Sequence, residues 1–320
     1  MAGGVKQERF LGALMGMAIG DAMGMPVAGW TAERIRERFG AIDGYYPRVF
    51  ADGGEIKAGE FTDESELALC IVESFTVNDG ELDPDNIGAR FLYLARGEAK
   101  RWMNADTLSA LAAAEATLDF TQPLDEDGPA TGDVAARGIP IGLIHAVGPF
   151  DPVRMRADAE LVTRVTHGSP AAIAAVTAVA HLVRSAARNE TTPGEWAGAA
   201  SEFVHSGETA AALNTVAVEL SAVDFATRDD AASVVASAAA IALAAADFPS
   251  AVFDAVNYGG PSDARGAISG AIAGARWGIS GIPQSMIDDL EGRIYVSLAV
   301  PWFYRTALKR AGLVMNLRLE

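Results

Sequence analysis

Gly12, Gly16 and Gly20 stand four residues apart within Arg9–Met23, an otherwise apolar stretch that reads as a helix. Residues separated by four share one helix face. That face therefore carries a strip of bare backbone, against which a second helix can pack closely. The stretch runs into Gly20-Asp21-Ala22-Met23-Gly24-Met25-Pro26, where Pro26 stops the helix. Asp21 near a helix C-terminus opposes the helix dipole and so requires a specific partner. Two partners are open: the amides of the following loop, or a functional site.

The 3.6-residue period recurs along the chain. It predicts helices from Asp63 to about Asn78, over Pro84–Leu94 and over Thr107–Leu118. Another opens at Thr131-Gly132-Asp133, contains Arg137 and closes near Pro140 or beyond. Further helices are expected over Asp151–Val165, after Pro170, and over Thr192–Ser206, Glu208–Phe225, Ala231–Ala246 and Phe248–Val256. Ala264–Trp277, a short segment from Pro283, and Ile294–Gly312 complete the set. Strand-like alternation is almost absent. With no Gly/Ser-rich linker to cut at, residues 1–320 are expected to form one compact all-α domain of about a dozen helices.

Composition narrows the partners. Half of the residues are hydrophobic (50%), enough for a sizeable core, and the net charge of −17 argues against nucleic acid and anionic membranes. A nucleotide stays open, because helix N-terminal amides hold phosphates without Lys or Arg. The single cysteine, Cys70, excludes an internal disulfide and a zinc-thiolate cluster, and in an apolar helix it reads as a buried, inert thiol. Glu8 and Arg9 interrupt the N-terminal apolar run, so no signal peptide is expected. No uncharged run is long enough to span a bilayer; Ala231–Ala246 comes nearest, bracketed by Asp229, Asp230 and Asp247. A cytoplasmic monomer is expected.

The chemistry concentrates at two acid-bearing helix starts. In Gly59–Leu69, Thr62 takes the N-cap position, with Asp63, Glu64, Ser65 and Glu66 in the first turn of a deeply apolar helix. In Gly259-Gly260-Pro261-Ser262-Asp263 a second acid opens a second helix. Buried carboxylates are costly unless paired or metal-bound, so two such ends invite a cation between them. His167, in the turn Thr166-His167-Gly168, reads as a helix cap or a ligand contact. Tyr45 and Tyr46 read as packing their loop down, with stacking on a ligand as the alternative.

Five segments, in order, resemble the ADP-ribosylglycohydrolase family, which includes the dinitrogenase reductase-activating glycohydrolases. Gly12–Pro26 resembles its opening helix and Gly-Asp-Ala-x-Gly-x-Pro turn, and Gly59–Leu69 its Thr-Asp-Asp metal motif. Thr131–Leu143 resembles its Gly-rich ligand loop, Thr166-His167-Gly168 its Thr-His turn, and Asn257–Ile282 its Gly-Gly-Asp-Thr-Asp-Thr motif with the following helix. The resemblance implies an all-helical fold, usually two magnesium ions, and hydrolysis at C1 of ADP-ribose. It implies Thr62, Asp63, Glu64 and Asp263 as metal ligands, with Asp63, Glu64 and Asp263 catalytic. It also implies that Asp21, Thr131, Gly132, Asp133, His167, Gly259, Gly260, Ser262 and Arg265 line the ligand pocket.

Departures from the pattern narrow this further. Ala28 stands where the family has Glu, Pro261 and Ala264 replace ligating side chains, Ser262 replaces Thr, and Glu64 replaces Asp. Three oxygen ligands are thereby lost, so at most one magnesium ion is expected. Arg265 is a candidate for the fixed cation in place of the second ion; the alternative is that it points to solvent. Two readings stand. One is an enzyme acting at ribose C1 of an ADP-ribosyl or smaller ribosyl or nucleoside substrate, an ADP-ribosylated protein included. The other is an inactive protein that binds ADP-ribose or a related nucleotide.

Overall fold

The computed structural model describes residues 4–50, 53–117, 119–121, 124–205, 207–219 and 228–314. In chain order its α-helices are α1 (Gln7–Gly24), α2 (Ala32–Phe39), α3 (Asp63–Val77), α4 (Pro84–Ala95), α5 (Ala105–Glu115), α6 (Gly138–Ile144), α7 (Pro152–Arg164) and α8 (Pro170–Arg188). They continue as α9 (Pro193–Val204), α10 (Gly207–Glu219), α11 (Ala231–Ala244), α12 (Phe248–Asn257), α13 (Ser262–Trp277), α14 (Gln284–Asp288) and α15 (Arg293–Arg310). β1 (Arg48–Val49) and β2 (Glu55–Ile56) form one small antiparallel hairpin. The fold is all-α, as the periodicity implies.

The glycine strip of α1 meets its partner at the far end of the chain. α13 runs antiparallel to α1, and its own small residues fall at the same spacing. A methyl group at Gly12, Gly16, Gly20 or Gly24 would overlap the carbonyl of Gly274, Gly270, Gly266 or Ser262 respectively. Two backbones in contact along four turns cannot slide or rotate without collision. Arg9 ties one end of the pair through Nη1 to the Ala275 carbonyl (3.0 Å), and Ser262 Oγ ties the other to the Gly24 carbonyl (3.1 Å). The C-terminal end of α1 and the N-terminal end of α13 are thereby fixed side by side.

The Ala-rich helices α8 and α11 pack on α13 and bury nearly all of their small apolar side chains. By length and composition Gln7–Val27 and α8 reach the size of a membrane span, which the uncharged-run criterion does not register because charged residues interrupt them. Within the fold 94% and 67% of these stretches are buried against protein, as in core helices. α15 closes the bundle, and its Arg310 donates through Nη2 to Asp158 Oδ2 (2.5 Å), which His145 Nε2 also contacts at 2.7 Å.

Local structure differs from expectation in two places. α2 is absent from the sequence expectations: its run Ala-Glu-Arg-Ile-Arg-Glu-Arg-Phe buries only Ile35, too little apolar pattern to announce a helix. The helix expected at Thr131 starts as a 3₁₀ turn, Gly132–Arg137, and becomes α-helical only at Gly138. Pro140 has no N–H for the Ala136 carbonyl, so a regular ladder cannot run through from Gly132. The expected helix ends at Leu118, Ser206 and Phe225 lie outside the described residues. Tyr45 and Tyr46 pack and tie down their loop, the former through its hydroxyl to the Met286 carbonyl (2.5 Å), the latter to Asp43 Oδ1 (2.8 Å).

Candidate active site

Thr62 occupies the N-cap position of α3, but its side chain makes no capping hydrogen bond. Asp21 takes over that role from α1. Its Oδ2 accepts from the backbone N–H of Thr62 (3.0 Å) and of Ser65 (3.1 Å), and from Ser65 Oγ (2.6 Å). Its Oδ1 accepts from Thr62 Oγ1 at 2.6 Å. A carboxylate at the positive end of a helix dipole, satisfying two otherwise orphaned amides, is a favourable arrangement. Asp21 is fully buried with both oxygens engaged, so it does not line the pocket assigned to it by resemblance; it holds the start of α3 in place. Thr62 Oγ1 also lies 2.7 Å from Glu64 Oε2, which commits the hydroxyl to two carboxylates of the protein itself.

With α3 seated on α1, and α13 locked to α1, the two acid-bearing helix starts face a common cavity. Its volume is about 440 Å³. Asp63, Glu64 and Asp263 line it together with Asp133, Asp229, Trp30, Trp102 and Asn104. Trp30 is held at the rim by a two-way backbone bridge to Gly260: Gly260 N–H donates to the Trp30 carbonyl (2.7 Å), and Gly29 N–H to the Gly260 carbonyl (2.9 Å). Gly259 and Gly260 both have positive φ (87° and 71°), a region that side-chain-bearing residues rarely enter. The Arg34 guanidinium stacks on Trp30 at 3.8 Å. Trp102 donates through Nε1 to Glu66 (3.5 Å), and Asn104 Nδ2 donates to Thr131 Oγ1 (3.1 Å).

The remaining predicted residues divide between the cavity and its supports. Asp133 reaches the cavity, and one of its oxygens, Oδ1, is hydrogen-bonded by Thr131 Oγ1. Gly132 is buried, and a Cβ there would run into Val234 of α11, so its smallness serves helix packing. Ser262 is buried behind Asp263. His167 is neither cap nor cavity contact: Ser169 caps α8, while His167 Nδ1 pairs with Thr166 Oγ1 at 2.8 Å. Burial and the Arg137 charge push the imidazole down to about 3, so it is neutral. Arg265 points neither to solvent nor to an open metal position; it is buried, donating through Nε to Ser237 Oγ (2.8 Å) and through Nη1 to the Gly259 carbonyl. Cys70 lies outside this cavity, half-buried, and burial pushes its thiol up to about 12.

Charge at the site is one-sided. Burial, reinforced by neighbouring carboxylates, pushes the Asp63 and Glu64 carboxyls well above the usual carboxylate range. Burial also lifts Asp21 to about 6 against the hydrogen bonds of Ser65 and Thr62, and raises Asp263. Cations stand around the cavity without lining it, Arg34 on Trp30 at its rim and Arg48 half-buried where its charge acts on Asp263. Arg137 is buried, donating to Thr166 Oγ1 (2.5 Å), and Arg48 donates to the carbonyls of Met25 (2.9 Å) and Ala28 (3.2 Å). Asp133 Oδ2 is buried without a hydrogen-bond partner. An all-oxygen donor set with an orphaned carboxylate oxygen fits a hard divalent cation in kind. Among the described residues no three His, Cys, Asp or Glu side chains converge on one point. Ala28, Pro261 and Ala264 line the same cavity without side-chain oxygens, which does not fit a second ion.

The ADP-ribosylglycohydrolase family profile matches residues 4–315. The chain belongs to this family. It is similar to the ADP-ribosyl-[dinitrogen reductase] glycohydrolase of Rhodospirillum rubrum, 25% identical over 92% of this chain and 94% of that protein. An uncharacterized protein of Escherichia coli K12, YegU, is 32% identical, the match covering 58% of this chain and 56% of that one. A solved structure described as an ADP-ribosylglycohydrolase-related protein complex superposes with a TM-score of 0.77 at 26% identity, over 94% of this chain and 98% of that chain. Family membership supports a glycohydrolase-type function. Asp229, Trp30, Trp102 and Asn104 went unselected in the sequence because each belongs to a loop or cap with no motif of its own. Only the fold brings them to the cavity.

Proposed function

We propose that this member of the family hydrolyses the glycosidic bond at C1 of a ribosyl substrate, with at most one divalent cation, magnesium by preference, held by the Asp63 and Asp263 carboxylates and water. The observation that carries the reading is the convergence of Asp63, Glu64 and Asp263 on one cavity walled by Trp30 and Trp102. Such an ion would orient ribose hydroxyls and offset the negative charge of the carboxylates. Asp63 or Glu64 then takes a proton from the attacking water as its oxygen bonds to C1. The bond from C1 to the leaving group breaks with its electron pair, and the leaving atom picks up a proton from solvent or from the second carboxyl. A carboxyl whose affinity for protons is raised by burial suits either transfer near neutral pH.

A binding-only reading is favoured by one observation: Ala28, Pro261 and Ala264 leave the cavity short of oxygen ligands. Incubating the purified protein with ribosyl substrates and magnesium, and following free ribose together with ligand binding, separates the two. Release of ribose that stops on chelation supports hydrolysis; saturable binding with no release supports the binding protein.

A further inference from the structure

The described lining of the ligand pocket offers a diphosphate no side-chain cation. Its described lining residues include five carboxylates, Asp63, Glu64, Asp133, Asp229 and Asp263, and no Lys or Arg. One divalent ion offsets two negative charges, and a nucleoside diphosphate would bring at least two more. Backbone amides are the other way to hold a phosphate. The resemblance assigns the Thr131-Gly132 turn to that task, but the Asp229 carboxyl stands beside the Gly132 N–H and lines the same cavity. A carboxylate from the loop before α11 thus stands at this turn. Gly132 itself cannot swing toward a ligand, being wedged against Val234. What the cavity offers instead is two indoles, Trp30 and Trp102, suited to the faces of a sugar or a heterocycle.

From this arrangement we infer that the substrate is an unphosphorylated riboside, a nucleoside-like molecule, in place of an ADP-ribosyl group. The inference rests on the glycohydrolase reading above and names its substrate class. Like charges brought together in a partly buried site weaken binding strongly, and the weakening is relieved by salt only in part. Asp229 acts here as a specificity residue: it adds negative charge to the cavity beside the amide that would otherwise receive phosphate.

The test is calorimetric titration, in magnesium, of a neutral nucleoside (adenosine), a cationic one (nicotinamide riboside), ribose 5-phosphate and ADP-ribose, on the wild type and on Asp229→Ala. The expected result is that at least one unphosphorylated riboside binds about tenfold or more tightly than ADP-ribose. Asp229→Ala should narrow that gap by raising affinity for the phosphorylated ligands. Tighter binding of ADP-ribose to the wild type, or no binding of either nucleoside, overturns the inference. An unchanged gap in the variant overturns the role of Asp229. Ribose release is assayed in parallel. A nucleoside that binds without being cleaved supports the ligand class inferred for the pocket and overturns the hydrolase reading.

Discussion

Asp21 shows how a single residue converts helix packing into site geometry. It carries four donated hydrogen bonds from Thr62 and Ser65 across the α1–α3 junction. Asp21→Ala would leave two amides and the Ser65 hydroxyl buried with no acceptor, each a costly loss, while Thr62 Oγ1 keeps Glu64. We expect a net destabilisation of about 2–4 kcal/mol, moderated because one buried charge is also removed. Denaturant melts check this; a variant as stable as the wild type would show that the α3 cap is supported from elsewhere. The need for a partner at Asp21 is legible in the sequence from its position at a helix end. The partner is not, because Thr62 and Ser65 are forty residues away and only the fold brings them together. Arg265 and His167 teach the complementary lesson. Their motif positions suggest exposure to ligand, whereas each is buried and hydrogen-bonded to protein groups, with His167 Nε2 and Arg265 Nη2 left unpartnered.

Among elements, the α1–α13 pair does most to place the site. The strip Gly12, Gly16 and Gly20 announces a close helix contact in the sequence; it does not say with which helix. The matching Gly266, Gly270 and Gly274 answer that question only once both helices are seen to run antiparallel. Gly270→Ala should therefore cost roughly 1–3 kcal/mol or more by overpacking, since the new methyl would meet the Gly16 carbonyl. Gly194→Ala, in the first turn of α9 with nothing within 4 Å of the added methyl, serves as the control and should be neutral or slightly stabilising. Comparable melting temperatures for the two variants would contradict tight α1–α13 packing. Helix existence was legible almost throughout because the apolar period is strong. α2 was not, since a helix that buries one side chain leaves almost no pattern.

For the whole molecule, the acid cluster couples stability to pH and to cations. Asp21 sits at about 6 in the fold against 3.8 for the unfolded group, so between those values the folded protein binds the proton more tightly. Stability from this group therefore falls as pH rises from about 4 to about 6, by on the order of 3 kcal/mol at most, and is level above that. Asp63 and Glu64, also raised by burial and by neighbouring carboxylates, act in the same direction. In chelator the protein should melt lower at pH 8 than at pH 5, and magnesium should flatten the difference. A chelated protein that gains stability over this range would show that the carboxylates are compensated within the fold.

All of these scales meet at Asp63, which the α1–α13 pair and the Asp21 cap together deliver to the cavity. The most direct measurement is the rate of ribose release by wild type and by Asp63→Asn, side by side in magnesium. Asp63→Asn keeps the shape and removes a buried charge, so it should melt at the wild-type temperature or above while releasing ribose at least ~100-fold more slowly. Release at the wild-type rate from the folded variant would contradict the assignment of this cavity as the active site.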